Sequence, residues 1–184
     1  MKTLFEFEIL RFEELPSTNT FALEQAKKGA GEGLVVRADF QSAGRGKPGN
    51  TWISPAGENL LFSVLLRPPV KPAKAPMLTQ IAARSIANIL AQRGIKTEFK
   101  RPNDLMVEGK KICGILTESV SNSEKIEYVA VGVGLNVNSS GKTLLDTAVS
   151  MKDLLKKEVP MDNLLGDILA ELRKDLEGFY ADRS

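Results

Sequence analysis

The segment from Gln41 to Trp52, QSAGRGKPGNTW, contains the residue types best suited to bind an anion. Its glycines can bring backbone N–H groups close to a negatively charged group, and Arg45 and Lys47 between them can neutralise that charge. The same residues could also form a mobile, solvated basic loop that binds nothing. The segment alone therefore leaves two interpretations open, an anion-binding loop and a plain surface loop.

The glycines Gly44, Gly46 and Gly49 match the Gly-x-Gly-x-x-Gly pattern of dinucleotide-binding turns. That turn needs a helix opening at its last glycine and an acidic residue about twenty positions further on. Here the chain continues as NTWISP, which does not begin a helix, and RPPVKP lies at the later position. No Gly-Lys-Ser/Thr follows an earlier glycine at the Walker A spacing either. We therefore reject both nucleotide-binding patterns.

Three other segments combine polar chemistry with a defined place in the chain. KRPNDL, Lys100 to Leu105, puts a cation, an amide and a carboxylate on a proline-containing turn, although Asn-Asp turns are also common without function. GVGLNVN, Gly132 to Asn138, interrupts an apolar strand with glycines, which indicates close approach of a ligand or backbone, or else a bulge. STN, Ser17 to Asn19, offers hydroxyls and N–H groups to a ligand, or only a helix cap.

Composition narrows the chemistry further. The chain has no histidine, which excludes a Ser-His or Cys-His pair, an imidazole metal site and a histidine general base. The one cysteine, Cys113, lies in an apolar run and is expected to be a buried small hydrophobe in a reducing compartment. A net charge of +2 and the absence of an unbroken apolar N-terminal segment give no reason to expect DNA or a membrane as partner.

These segments must be positioned by a sheet with helices, and the hydrophobic pattern predicts both. At 184 residues with 42% apolar residues, one domain spanning 1–184 is expected. The strands cluster in the middle of the chain without strict βαβ alternation, which predicts a mixed sheet with packed helices. The predicted strands cover residues 3–12, 34–40, 58–68, 95–100, a hairpin turning at Glu108 and Gly109, and 124–138. The predicted helices run from a cap at Ser17–Thr20 to Gly29, from Pro76 to Gly94, from Ser150, and from Asp162.

The four segments STN, QSAGRGKPGNTW, KRPNDLMVEGKKICGILTE and GVGLNVN, in this order and at these spacings, resemble the catalytic domain of biotin protein ligases. The resemblance spans roughly residues 15–138. It implies an α+β fold of the biotin/lipoyl ligase type, related to class II aminoacyl-tRNA synthetases, with a largely antiparallel sheet packed with helices.

The resemblance also implies an activity. Biotin and ATP with Mg²⁺ would give biotinyl-5′-AMP and pyrophosphate, and biotin would then pass to a lysine of a biotin carboxyl carrier protein. A cytoplasmic enzyme is expected, with a homodimer as one possible state. The helix-turn-helix segment of some members and the C-terminal β-barrel usual in the family are not found in the sequence, and the barrel is either naturally absent or truncated. Two alternatives stay open, a module that binds biotin or its adenylate without efficient transfer, and a lipoyl or octanoyl ligase.

Residue roles follow from the resemblance, position by position. Lys100 and Arg45 would be catalytic, and Asp104 could accept a proton from the target lysine, whereas a metal ligand in the protein is not defined. The residues implied to bind biotin are Ser17, Thr18, Asn19, Gln41, Gly44, Arg45, Gly46, Trp52, Lys100, Gly114, Ile115, Leu116 and Gly132. Those implied to bind ATP or the adenylate are Arg45, Lys47, Trp52, Lys100, Asn103, Asp104, Lys111 and Asn136. Three positions depart from the family, with Arg101 in place of tryptophan and Lys47 and Asn50 in place of arginines, which is expected to alter ATP affinity.

Overall fold

A computed structural model of the chain describes residues 5–47 and 49–181, apart from the side chain of Lys142. Within this part, seven strands form one sheet in the order β1-β2-β3-β7-β6-β5-β4. The strands are β1 (Glu8–Leu15), β2 (Leu34–Gln41), β3 (Leu60–Leu66), β4 (Glu98–Lys100), β5 (Asp104–Val107), β6 (Lys110–Ser121) and β7 (Ile126–Leu135). The helices are α1 (Thr18–Lys27), α2 (Ala75–Gln92), α3 (Met151–Leu155) and α4 (Met161–Ala181).

The pairing of the strands confirms the predicted fold class. The outer pair β1–β2 is parallel and is connected by α1, whereas every other neighbouring pair is antiparallel. β3 and β7 form the centre of the sheet, where each residue of LLFSVLL in β3 is buried. A run buried on both sides needs cover on both faces of the sheet.

The two faces are covered in different ways. On one face α2 and α4 pack against each other and against the sheet, with apolar side chains such as Leu78 and Leu172 in the main core. On the other face α1 lies against β2, β3 and β7, and its small residues Ala22 and Ala26 are buried against the sheet. α1 is only ten residues long. It therefore leaves part of its face, over β6 and β7, available for other groups.

Several helices and strands begin or end close to the residues predicted from the sequence. The predicted cap at Ser17 is confirmed, since its side chain accepts a hydrogen bond from the backbone N–H of Thr20. The hairpin between β5 and β6 turns at Glu108 and Gly109, both with positive φ, as predicted. The first strand begins later than predicted, because pairing with β2 starts only at Glu8. Its first two predicted residues, 3 and 4, lie outside the described residues.

The predicted strand 95–100 is shorter than expected, because only residues 98–100 pair with β5. Ile95 instead lies in the core directly after the turn that ends α2. The helix predicted from Asp162 begins at Met161, and Asp162 accepts hydrogen bonds from Arg11 and Arg37, which tie α4 to β1 and β2. Among the described residues, no helix is both long enough and apolar enough to cross a membrane.

Candidate active site

A cavity of about 380 Å³ lies beside α1 on the face of the sheet that this short helix leaves partly open. Its floor is formed by β6 and β7, and its walls by the start of α1, residues 45–47 and 50–52, the segment between β4 and β5 with the start of β5, and residues 145 and 147. The residues that line it are Ser17, Thr18, Asn19, Gln41, Arg45, Gly46, Lys47, Asn50, Thr51, Trp52, Asn103, Asp104, Lys111, Gly114, Ile115, Leu116, Gly132, Val133, Gly134, Leu145 and Thr147.

The glycines of the floor leave room for side chains that lie directly on the strands. A Cβ at Gly132 would overlap with the amide of Asn19, and a Cβ at Gly134 would overlap with the indole ring of Trp52. The β6–β7 register is continuous across both glycines, so the alternative of a bulge is wrong here. The close approach that the glycines predicted is thus made by side chains of the chain itself.

At one end of the cavity the polar groups are hydrogen-bonded to each other. The backbone N–H and the hydroxyl of Thr18 both donate to Gln41 Oε1, at 2.8 and 3.1 Å. The buried hydroxyl of Ser63, from β3, lies 2.7 Å from that of Thr18. Because the oxygen of the Gln41 amide is engaged in this way, its Nε2 group is left without a hydrogen-bond partner among the described residues and can donate to a ligand. We call Ser17, Thr18, Asn19, Gln41 and Ser63 the amide end.

Asn19 is fully engaged within the chain. Its Nδ2 group donates to the carbonyl of Leu116 at 3.0 Å and to Glu118 Oε2 at 2.7 Å, which uses both amide hydrogens. Its oxygen lies 2.6 Å from the hydroxyl of Ser63. Asn19 therefore shapes the cavity, while neighbouring groups of the amide end are freer to bind a ligand.

The opposite end of the cavity gathers two cations around one carboxylate. Lys111 Nζ lies 2.8 Å from Asp104 Oδ1, and Lys47 Nζ lies 3.9 Å from Asp104 Oδ2. Lys111 also lies over the ring of Trp52, 5.2 Å from its centroid. We call Lys47, Trp52, Asn103, Asp104 and Lys111 the cationic end. Its charged groups leave an excess of positive charge, which favours an anionic ligand.

Two polar atoms of the cationic end have no partner in the described part of the chain. Asn103 donates to the carbonyl of Ile115 at 2.8 Å, but its oxygen is buried and unpaired. The Nε1 atom of Trp52 is likewise buried without an acceptor. An unpaired buried polar atom costs roughly 1–3 kcal/mol. Such atoms in a lined cavity are expected where a ligand supplies the missing partner.

The segment around Arg45 forms a narrow hairpin that lies over the cavity. Arg45 and Thr51 form an antiparallel bridge, and Gly46 N–H donates to the carbonyl of Asn50 at 2.9 Å. Arg45 itself donates to Glu118 Oε2 at 2.8 Å and to the hydroxyl of Thr20 at 3.0 Å. We call residues 43–52 the glycine hairpin; Pro48 lies outside the described residues. Through these contacts Arg45 is attached to α1 and to β6.

Three residues implied to bind substrates lie outside the lining of the cavity. Lys100 is exposed at the end of β4, opposite Asp104 in the β4–β5 ladder, so it lies one strand beyond Asp104 and outside the lining of the cavity. Asn136 is buried below the cationic end and donates to the carbonyls of Lys111 and Val149, each at 3.3 Å. Gly44 closes the glycine hairpin, where its carbonyl accepts from Trp52 N–H. Asn136 therefore holds the backbone of Lys111 in place and does not face the cavity.

Other lining residues were not foreseen. Gly134 lies two positions after Gly132 in β7, so strand alternation alone places it on the same face and could have identified it. Leu145 and Thr147 lie in an irregular segment that is fixed by a hydrogen bond from Lys111 N–H to the carbonyl of Thr147, at 2.9 Å. No local pattern in the sequence indicates that contact.

Cys113 lies directly before Gly114 in β6 and is fully buried in the main core. Burial raises the pKa of its thiol to about 12, with a smaller lowering by Lys111 and a smaller raising by Asp104. A thiol of this kind is not a nucleophile at neutral pH. The prediction of a buried small hydrophobe is confirmed.

Known proteins that are similar to this chain match it over the segments that contain these motifs. The model of the biotin/lipoate A/B protein ligase family matches residues 12–136. The bifunctional ligase/repressor BirA of Bacillus subtilis is 34% identical over 166 residues, which are 88% of this chain and 51% of that protein. The biotin–[acetyl-CoA-carboxylase] ligase of Mycobacterium tuberculosis is 33% identical over 162 residues, 85% of this chain and 59% of that protein. The chain thus spans about half the length of the curated relatives it matches.

A solved structure supports the same relationship. The biotin protein ligase from Aquifex aeolicus in complex with biotin and ATP superposes with a TM-score of 0.78 at 27% identity. The alignment covers 96% of this chain and 72% of that one. The architecture around the cavity therefore belongs to a known fold.

Proposed function

The chain belongs to the biotin/lipoate A/B protein ligase family, and on that premise we propose that it is an ATP-dependent biotin protein ligase. It would form biotinyl-5′-AMP and pyrophosphate from biotin and ATP, and then transfer biotin to a lysine of a biotin carboxyl carrier protein. Relatives named as biotin ligases, and a solved relative with biotin and ATP, support the choice of biotin over lipoate or octanoate.

One observation carries this proposal, namely that the amide end and the cationic end are parts of one cavity. Biotin has the matching division, with a neutral ureido ring at one end and a carboxylate at the other. The free Nε2 group of Gln41 can donate to the ureido carbonyl, while Lys111 and Lys47 can face the carboxylate and the phosphates. A cavity of about 380 Å³ is in the size range of small-molecule sites.

The first step would need positioning and charge stabilisation, without a general base. The biotin carboxylate attacks the α-phosphorus of ATP, a carboxylate O–P bond forms, and the bond to the β-phosphate oxygen breaks so that pyrophosphate leaves. Lys111, fixed by Asp104 and by the backbone contact of Asn136, lies where it can hold both anions together. This suits a chain that has no histidine.

The second step would transfer biotin to a lysine amine. The amine attacks the acyl carbon of the adenylate, AMP leaves, and the amine loses a proton. Asp104 is the carboxylate among the described lining residues, and as a member of the cationic end it is placed to orient that amine or to accept its proton. Replacing Asp104 with Asn is expected to slow transfer from preformed adenylate, and normal transfer would remove Asp104 from this role.

Magnesium would enter with ATP. Asp104 is a single carboxylate, and the described residues contain no group of three or more His, Cys, Asp or Glu that could hold a metal ion. Phosphate oxygens and water would therefore supply most ligands of the hexacoordinate Mg²⁺, as is usual for nucleotide-bound magnesium. Its chemical contribution would be to neutralise the phosphate charge.

The test is incubation of the purified chain with labelled biotin, ATP and Mg²⁺, with and without a biotin carboxyl carrier domain. A ligase gives labelled adenylate alone and labelled carrier when the domain is added. Bound biotin without adenylate would favour a binding module, and competition by lipoate or octanoate but not by biotin would favour the other ligases. The homodimer and the cytoplasmic location stay predictions, and light scattering of the purified chain would test the first.

A further inference from the structure

Glu118 joins two elements of the site although it does not line the cavity. It lies in β6, two residues after Leu116, with its side chain about one quarter exposed at 27%. Its Oε2 atom accepts from Asn19 Nδ2 at 2.7 Å and from an Arg45 nitrogen at 2.8 Å. One carboxylate oxygen thus connects α1, the sheet and the glycine hairpin.

The glycine hairpin has few other attachments to the floor of the cavity. Its internal bonds connect residues 44 to 52 with each other, and Ala43 N–H donates to the carbonyl of Pro16 where the hairpin starts. Over the floor, the described hairpin residues make four contacts. The ring of Trp52 lies against the glycines and under Lys111, Lys47 Nζ lies 3.9 Å from Asp104 Oδ2, and the guanidinium of Arg45 lies 2.8 Å from Glu118 Oε2. The Lys47–Asp104 separation is beyond hydrogen-bond distance, so the pair of Arg45 with Glu118 is the hydrogen-bonded ion pair between the described hairpin residues and the sheet.

We propose that Glu118 is a positioning residue that holds the glycine hairpin closed over the cavity through Arg45 while it fixes Asn19 in the amide end. The proposal deepens the ligase function and rests on it for its catalytic consequences. In this arrangement Glu118 slows release of the ligand and of the adenylate without touching either. The alternative is that Glu118 withholds Arg45 from the ligand, and it predicts the opposite sign.

The variant that separates these roles is Glu118→Gln. Glutamine keeps the length of the side chain and an acceptor oxygen for Asn19, but it loses the charge that strengthens the bond to Arg45. Because the Arg45–Glu118 pair is partly exposed, its loss is expected to open the hairpin by a moderate factor. The matched control is Glu127→Gln, which removes an exposed carboxylate from the adjacent strand β7.

The first readout does not depend on catalysis. Trp52 is the sole tryptophan of the chain and lies in the hairpin, so its fluorescence reports hairpin closure. In the unliganded protein, we expect acrylamide to quench Trp52 about twofold to fivefold more efficiently in Glu118→Gln, with an unchanged melting temperature. Quenching equal to that of the parent and of Glu127→Gln would overturn the proposal, even if the chain formed no adenylate.

The second readout uses the reaction. We expect biotinyl-5′-AMP to dissociate about threefold to tenfold faster from Glu118→Gln, with a raised KM for biotin and a nearly unchanged kcat. In an Arg45→Met background the same change should have no further effect, because the partner of the carboxylate is already absent. Slower dissociation in Glu118→Gln, or an equal effect in both backgrounds, would contradict the proposal. Absence of adenylate in the parent chain would count against the ligase function alone, since the quenching experiment would still test the hairpin.

Discussion

The two ends of the cavity differ in how completely their polar groups are paired within the chain. At the amide end, Asn19 uses both amide hydrogens and its oxygen in bonds to the chain, and Thr18 bonds to Gln41 through its N–H and its hydroxyl. At the cationic end, Asn103 and Trp52 retain unpaired buried atoms, and Asp104 faces two lysines. The amide end thus keeps one donor, Gln41 Nε2, for a ligand, whereas the cationic end keeps two buried polar atoms without a partner in the described part of the chain.

This difference indicates that the two ends of the cavity have different roles. A network in which most members are paired is rigid, so the amide end can offer Gln41 Nε2 to a neutral ring without rearrangement. Unpaired polar atoms and excess charge lower the stability of the unliganded protein. A charged ligand that supplies the missing partners removes this cost, which favours binding. Substitutions at the amide end should therefore cost stability, whereas those at the cationic end should cost activity.

The largest effect is expected from Lys111→Met. The substitution removes the cation closest to Asp104, and we expect adenylate formation to fall about 100-fold to 1,000-fold, the range found when a key electrostatic group is removed. Lys47 stays beside Asp104, so the free energy of unfolding should fall by no more than about 1 kcal/mol. Pyrophosphate release and urea denaturation measure the two quantities.

Two further lysine variants serve as comparisons for Lys111→Met. Lys110→Met changes the preceding, exposed residue of β6 and should leave adenylate formation unchanged. Lys100→Met tests the cation implied by the sequence motif; because Lys100 lies opposite Asp104 but outside the cavity lining, we expect a loss of about tenfold or less. If Lys100→Met proved as damaging as Lys111→Met, the motif would have identified the catalytic cation better than the geometry.

A pair of glycine variants on one strand compares the two ends directly. In Gly132→Ala the new Cβ displaces Asn19 and breaks a satisfied buried network, which should lower the free energy of unfolding by about 1–3 kcal/mol. In Gly134→Ala it displaces the Trp52 ring, which loses no hydrogen bond. We therefore expect a smaller loss of stability, under about 1 kcal/mol, but about tenfold slower adenylate formation. Urea denaturation and pyrophosphate release measure both variants.

The pair controls itself, because both changes add one methyl group to the same face of β7 and share the same gain in backbone rigidity. Circular dichroism would establish that each variant keeps the fold. A Gly134→Ala protein less stable than Gly132→Ala would mean that the paired network of the amide end is not what stabilises this part of the chain.

The elements of the cavity were largely predictable, since each depends on local chemistry. Ser17 is a good helix cap, Glu108 and Gly109 suit a tight hairpin, and the apolar run around Val64 has the length of a strand. The four motifs also converge on one site, as the resemblance implied. Short-range patterns of this kind survive folding because tertiary contacts agree with them.

It is harder to predict which side chains face the cavity, because their positions depend on neighbours that are distant in the sequence. Lys100 and Lys111 are both lysines at strand ends, and only the order of β4, β5 and β6 places Lys111 over the cavity. Asn136 follows a glycine-containing strand, yet its amide is used by backbone carbonyls of other segments. Glu118 ends the motif KRPNDLMVEGKKICGILTE, but the motif does not indicate its contact with Arg45, which lies 73 residues away in the chain.

The smallest effect on the reaction is expected behind the floor of the cavity, where Cys113 tests how far the charge of the cationic end reaches. Cys113 lies behind the floor of the cavity, and burial raises the pKa of its thiol to about 12 despite the opposing influence of Lys111. At pH 8 we therefore expect iodoacetamide to modify the folded protein at least about a hundredfold more slowly than the protein in urea, because burial disfavours the reactive thiolate and excludes the reagent. Mass spectrometry of the labelled chain measures both rates.

The raised pKa of this thiol also makes the free energy of unfolding depend on pH, in a defined direction. The folded state holds the proton up to a pH of about 12, whereas the unfolded thiol releases it near its ordinary value of 9.0. The stabilising contribution of the protonated thiol is therefore complete below about pH 9 and declines as the pH rises toward 12. Between pH 8 and 10.5, the parent should lose more stability than Cys113→Ala, because only the parent carries this thiol. Rapid labelling of the folded protein at pH 8, or parallel stability curves, would mean that the field of Lys111 extends through β6 and that the two sides of the floor are not electrostatically separate.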